Sequence, residues 1–419
     1  MENNLIIGIQ EKPKRITQWI ILSLQHVFAM FGATILVPII TGLDPSVALV
    51  ASGIGTLIYI SVTKGKVPVY LGSSFAYIIA IKLAGANGSF GSAYIGLMVV
   101  GLIYLLVAVI IQVFGNEWIH KLLPPEVIGP MIIIIGLSLS PIAIGYAGFD
   151  GGKGYKDILI AVVTFITIVI VSVFGKGFYR IIPFVIAILV GYFFAVIIGV
   201  IDLSIVFKDV QFLQVPNFAF IGTYKLDFSA VLIFIPLAFV TISEHIGDHI
   251  VLGEITQKDF IKDPGLQRTL TGDGLATFVS AAIGGPANTT YGENTGVVAM
   301  TKVGSVYVVG LAALFAIFLG FFGHIQAFVA SIPEAVLGGM TLILYGLIAS
   351  NGIKVLIKAK TDMTNIRNII IISVMLVIGL GGAFIQINQA TKIEQMSLAA
   401  IVGIVLNICI PKLKGSKSK

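Results

Sequence analysis

Charge is what this chain has least of. Only 11% of its 419 residues are charged, against roughly a quarter in a soluble domain, and mean hydropathy reaches +1.03. A soluble globular protein is thereby excluded. A single cysteine, Cys409, excludes an intrachain disulfide. Ten-residue stretches of alternating polarity are missing, which excludes a transmembrane β-barrel. No HExxH pair occurs. The first apolar run, Ile16 to Ile40, is too long for a signal peptide and has no small-residue cleavage site. The net charge of +6 reads as basic loops on one membrane face and gives no reason to expect a nucleic-acid partner.

Long apolar runs take the place of the missing charge, and 57% of residues are hydrophobic. In lipid every backbone group needs an internal partner, so such a chain is an all-α polytopic membrane protein. The runs predict about fourteen segments, at 17–41, 47–63, 68–84, 92–115, 125–147, 157–175, 181–201, 229–252, 269–284, 287–302, 304–329, 334–351, 366–385 and 396–411. Forty-seven glycines allow close helix packing and broken helices. With both termini in the cytoplasm, all 26 Lys and Arg fall inside except Lys82, Lys153, Lys156, Lys208, Lys225 and Lys392. That asymmetry predicts an even number of spans, with the lysine-rich tail Lys412–Lys419 as a solvated cytoplasmic end.

Two segments look alike. Pro68 to Tyr77 and Pro286 to Gly296 each run from proline through a short extended stretch to a glycine-marked helix start. They fall in the third and tenth segments, equivalent places in two halves of seven, and odd halves lie in opposite orientation. Paired interrupted segments of this kind point to a transporter binding site.

The costliest stretch is Ser243-Glu-His-Ile-Gly-Asp-His249, which follows directly on the apolar run Val231–Val240. Each ionisable side chain there costs about 2.5–3.5 kcal/mol on insertion, so they face a cavity or the bundle interior. Glu244 and Asp248 share one helix face; His245 and His249 share a neighbouring one. Two carboxylates so placed do not both stay charged without partners, which makes proton exchange available. His249, near the end of the span, is also compatible with interfacial water, and so is Asp248. Glu293 follows Gly292 at a half-helix start, where free amides and a positive dipole end gather; Ser74-Phe75 is the matching start in the third segment. Donors from both starts and acceptors from the carboxylates suit a planar ring alternating C=O and N–H. Phe75 and Tyr291 offer it flat faces. His26, in the first segment, reads as support for a site carboxylate, and Asp273 as structural or interfacial.

These residues resemble the nucleobase/ascorbate transporter family, also called nucleobase–cation symporter family 2, and within it the bacterial uracil carriers. The likeness runs over nearly the whole chain, through Ser23 to Pro38, Tyr70 to Phe75, Glu244 to Gly247, Asp263 to Leu266 and Asn288 to Asn294. The family signature is met by Glu293-Asn-Thr-Gly296 followed by Thr301-Lys302. The resemblance implies fourteen segments in two inverted repeats of seven, with short antiparallel strands in segments three and ten. It implies a core domain of 13–122 and 228–331 and a gate domain of 123–227 and 332–411. It further implies a homodimer in the plasma membrane that imports uracil with protons and needs no cofactor or metal. Glu244 and Glu293 would hold the ring's polar edge, the amides of Phe75 and Gly292 its carbonyls; Ala33, Phe75 and Tyr291 would frame it, and His26 would brace Glu293. Asp248 stands where some uracil carriers have histidine, and with His245 it belongs to the expected proton-coupling set.

Three other readings share these residues. A purine carrier of xanthine or urate type would use the same scaffold with a larger pocket. An anion exchanger or channel would prefer a cation where Glu293 stands. A membrane metalloenzyme would need Glu244, His245, Asp248 and His249 to converge, yet Glu244 and His245 point about 100° apart.

Overall fold

A computed structural model describes residues 5–85, 90–228, 230–386 and 392–411; the tail Lys412–Lys419 lies outside them. The chain is mostly helical. Its first part comprises α1 (Ile16–Thr41), α2 (Pro45–Val62), strand β1 (Leu71–Ser73), α3 (Ile78–Ala84) and α4 (Gly91–Phe114). Then come α5 (Glu117–Leu122), α6 (Pro125–Ser138), α7 (Ser140–Ala147), α8 (Tyr155–Phe174), α9 (Pro183–Ile197) and α10 (Leu203–Val206). The second part brings α11 (Val231–Thr256), α12 (Leu266–Ala282), β2 (Asn288–Thr290), α13 (Gly292–Thr301), α14 (Val306–Gly320) and α15 (Gly323–Ala330). It closes with α16 (Glu334–Lys358), α17 (Ile366–Leu380), the hairpin β3 (Phe384–Gln386) and β4 (Lys392–Glu394), and α18 (Gln395–Cys409). Among the described residues seven helical stretches are long and apolar enough to cross a membrane, and five shorter apolar helices accompany them.

Several helices begin where the sequence supplies a cap or a proline. Asp44 Oδ1 accepts from the amides of Ser46 (2.7 Å) and Val47 (3.3 Å), and Pro45 opens α2. Pro125 and Pro183 open α6 and α9. Helix α1 closes on Gly42 in the left-handed region, φ 85°. The expected unbroken segment 304–329 is interrupted at Phe321-Phe322. The backbone groups freed there are taken up by the incoming chain: Gln214 N donates to Phe321 O (2.9 Å) and Gly323 N to Phe212 O (3.1 Å). Segment 125–147 is likewise broken at Leu139, between α6 and α7.

Two groups of helices pack internally. Helix α12 lies along α4 and α2, α14 along α2 and α1, and α11 along α4. In the other group α16 lies along α6, α7 and α8, α9 along α8, and α17 along α18 and α6. The groups meet where α11 touches α6 and α18 and where α1 touches α9. Small residues set the spacing. A Cβ on Gly101 of α4 would fall 2.6 Å from the Gly274 carbonyl of α12, so these backbones touch directly. Ion pairs tie neighbouring ends together. Lys66 meets Asp263 (2.5 Å) and Lys358 meets Glu254 (2.5 Å), in loops and helix ends that the charge pattern puts on one face; Lys153 meets Glu334 (2.5 Å) on the other.

Candidate functional site

Strands β1 and β2 pair antiparallel in the middle of the fold, with Leu71 opposite Thr290, Gly72 opposite Thr289 and Ser73 opposite Asn288. Their pairing is extended at both ends. Ser74 N donates to Ala287 O (2.8 Å) and Tyr291 N to Tyr70 O (3.1 Å). Asn288 pins the pair to its surroundings, since its amide donates to the carbonyls of Ala51 (3.2 Å) and Ala276 (3.3 Å). Each strand runs straight into a helix. A 3-10 turn over Phe75–Tyr77 leads into α3, and α13 starts at Gly292. The first amides of a helix have no partner within it, so Phe75 and Gly292 offer free N–H groups beside the strands.

Tyr291 lies flat against β1 because position 72 is glycine. A Cβ there would fall 2.4 Å from the Tyr291 ring. The ring is also held at its far end, where Tyr291 Oη donates to Ser73 O (3.0 Å). Phe75 packs edge-on against Tyr345 of α16, with ring centroids 6.3 Å apart at 77°.

Beside these helix starts is a cavity of about 350 Å³. Phe75, Glu244, Asp248, Tyr291, Gly292 and Glu293 line it from one helix group. Ile132 of α6 and Leu344, Asn351, Lys354 and Lys358 of α16 line it from the other. Glu244 and Asp248 are half-buried and share the cavity face of α11, as their spacing predicts. Asp248 Oδ2 accepts from Thr290 Oγ1 (2.5 Å), which joins α11 to β2. Gly292 is exposed, between buried Tyr291 and half-buried Glu293. A Cβ on it would meet only Asn351 Nδ2, at 3.8 Å, so that position points into open cavity. Three carboxyl groups, free amides and two aromatic faces thus converge on one space. That arrangement can accept from ring N–H groups and donate to ring carbonyls.

Other expected residues fall elsewhere. Ala33 is buried in α1 and does not line the cavity. His26 meets Asn294: Asn294 Nδ2 lies 3.1 Å from His26 Nδ1 and donates to its carbonyl at the same distance. The expected brace on Glu293 is thus a brace on its neighbour, because a residue one place along α13 turns about 100° towards α1. His245 faces away from the cavity. Its Nδ1 lies 2.8 Å from Asp273 Oδ2, and neither side chain has any exposure. Asp273 is therefore a buried partner and does not lie at an interface. Nor does His249 sit in interfacial water. It is buried, its Nδ1 donates to the His245 carbonyl (2.7 Å), and its Nε2 lies 2.5 Å from Tyr59 Oη. Thr290, Asn294 and Asn351 are site or supporting residues that sequence reasoning missed. Asn294 stood inside the recognised Glu-Asn-Thr-Gly signature; Asn351 carried no signal. No cluster of histidine, cysteine and acidic side chains fit to hold a metal occurs among the described residues.

The profile of the Permease family matches residues 17–388. The chain is 47% identical over 414 residues to the uracil permease of Bacillus caldolyticus, covering 98% of this chain and 95% of that one. It is 46% identical over 420 residues to the uracil permease of Bacillus subtilis, covering 97% and 96%. In fold it is similar to the transmembrane domain of a cyanobacterial bicarbonate transporter, BicA, with a TM-score of 0.64 and 14% identity over 96% of this chain and 100% of that one. A family profile spanning most of the sequence and relatives this similar along nearly its whole length show that the chain, a multi-pass membrane permease, belongs to the nucleobase/ascorbate transporter family.

Proposed function

We propose that this permease imports uracil across the plasma membrane as a proton-coupled symporter working by alternating access. The observation that carries the reading is the meeting of Glu244 and Glu293, from two separate helices, at one cavity beside the helix starts at Phe75 and Gly292. A uracil ring alternates N–H and C=O along its edge. The two carboxyl groups accept from the N–H groups, the two amides donate to the carbonyls, and Phe75 and Tyr291 bound its faces. The names of the relatives support the choice of base. Acidic Glu293 at the start of α13 disfavours an anion as cargo.

Asp248, one turn from Glu244, relays the proton between the site and the cytoplasm, with Thr290 holding it in place. His26 and His245 act behind the site, through Asn294 and Asp273. Fourteen segments form two inverted repeats of seven. Residues 13–122 and 228–331 make the core that carries the substrate, and 123–227 and 332–411 make the gate; the two helix groups described above support that division. Both termini are cytoplasmic, and the permease works as a homodimer.

Uptake of radiolabelled uracil into proteoliposomes under an imposed pH gradient tests the reading. Accumulation should follow the gradient and be competed by uracils substituted at the 5-position. Displacement of tracer far more strongly by xanthine than by uracil would replace uracil with a purine as the cargo.

A further inference from the structure

The geometry points to Asn351, on the gate helix α16, as a specificity-determining donor that meets a ring carbonyl from the side opposite the Gly292 amide. The inference rests on the uracil reading and extends it to a residue outside the core. Three observations carry it. Asn351 lines the same cavity as Glu244, Asp248 and Glu293. Among the described residues, with Tyr291, Glu293 and the backbone of α13 set aside, its Nδ2 is the only atom within 4 Å of the point where a Gly292 Cβ would stand, at 3.8 Å. Its amide also has a polar partner on one side. Lys354, one turn on, donates from Nζ to Asn351 Oδ1 (3.3 Å). An ammonium group only donates, so this contact favours the amide oxygen towards Lys354 and Nδ2 towards Gly292.

The site would then hold the ring with donors from both helix groups. Gly292 and Phe75 belong to the group that carries the carboxylates, and Asn351 belongs to the other. A donor on the gate helix makes its contact only when the gate lies against the loaded site, so it adds affinity in that arrangement alone. Lys354 is a positioning residue, because it acts through the asparagine amide.

The experiment measures transport kinetics of full-length protein in proteoliposomes for uracil, 2-thiouracil and 4-thiouracil. A thiocarbonyl is a weak acceptor, so the analogue with sulfur facing Asn351 should be discriminated against by wild type. Asn351→Ala should raise the uracil KM about tenfold, the loss of one neutral hydrogen bond, and should shrink the gap to that one thio-analogue. Asn351→Asp keeps the shape but removes the donor, and should raise KM at least as much. Lys354→Met should raise KM by less, with Lys354→Arg restoring it. An unchanged uracil KM with an unchanged ranking of the thiouracils in the Asn351 variants overturns the inference. So does a fall in maximal rate alone. Absence of uracil transport by wild type overturns instead the reading beneath it.

Discussion

Glu244 and Glu293 reach one cavity from two helices, and each is expected to accept from a ring N–H. Glu244→Gln and Glu293→Gln swap an acceptor for a group that also donates, and leave a ring N–H poorly paired. The loss should be about 1–3 kcal/mol, tenfold or more in Kd, in protein that still inserts and purifies folded; binding of labelled uracil to purified variants measures it. Near-normal binding would remove that residue from the site. Gly292→Ala is a sharper probe. Apart from the adjoining residues and the backbone of α13, its methyl group meets no described atom closer than Asn351 Nδ2 at 3.8 Å, so thermal stability should be unchanged while uracil binding is lost to the occupied space. A stable variant that binds normally would move the ring away from the start of α13. At Asp248 binding and coupling should separate. Asp248→Asn should keep binding but lose gradient-driven accumulation, leaving exchange, and Asp248→His should restore coupling at least in part. Full accumulation by the asparagine variant would exclude Asp248 as the relay.

At the scale of elements, the start of α17 is held by one side chain. Arg367 is buried and makes four contacts: Nε to the Ile410 carbonyl (2.9 Å), Nη2 to the carbonyl (2.8 Å) and Oδ1 (2.6 Å) of Asn407, and Nη1 to Glu126 Oε1 (3.1 Å). Asn407 in turn donates to the carbonyls of Lys121 (2.8 Å) and Leu122 (3.2 Å). One guanidinium fork therefore gathers α6, α17, α18 and the end of α5. Arg367→Met leaves Glu126 and three oxygens without their partner. The cost of breaking such a pair is about 3–5 kcal/mol, read as a lower apparent Tm in detergent. Adding Glu126→Leu should recover part of it, because the orphaned carboxylate is gone. A melting temperature unmoved by Arg367→Met would show that the helix ends are held by apolar packing alone.

For the whole molecule, alternating access requires the two helix groups to move against each other. Glu254 of α11 and Lys358 of α16 join them across the rim of the cavity. The pair is partly exposed, and a surface ion pair is worth only about 0–1 kcal/mol, weak enough to open in each turn of the cycle proposed above. A covalent link in the same place should not open. In a background where the exposed Cys409 is replaced by serine, Glu254→Cys with Lys358→Cys should lose uptake on treatment with a thiol crosslinker. Each single variant should be unaffected by the reagent. Undiminished uptake by the crosslinked protein would mean that these helices keep their distance throughout the cycle.

The sequence by itself determined the class of molecule, because backbone in lipid has few solutions and the apolar runs spell out where helices go. It also determined that Glu244 and Asp248 share a face, since the helical period is local, and that two proline-led segments turn from strand to helix. It did not determine which histidine meets which acid. His26 was expected at Glu293 and lies on Asn294; Asp273, read as structural or interfacial, and His249, for which interfacial water stayed open, are buried partners of His245 and Tyr59. Those pairings depend on how α1, α2 and α12 rotate against α11 and α13, and rotation is set by packing between helices distant in sequence. The breaks at Leu139 and Phe321-Phe322 have the same origin, for the backbone groups freed at the second are taken up by residues 212–214, more than a hundred positions earlier. Asn351 carried no mark at all in the sequence, and only the approach of α16 to the start of α13 brings its amide to the cavity.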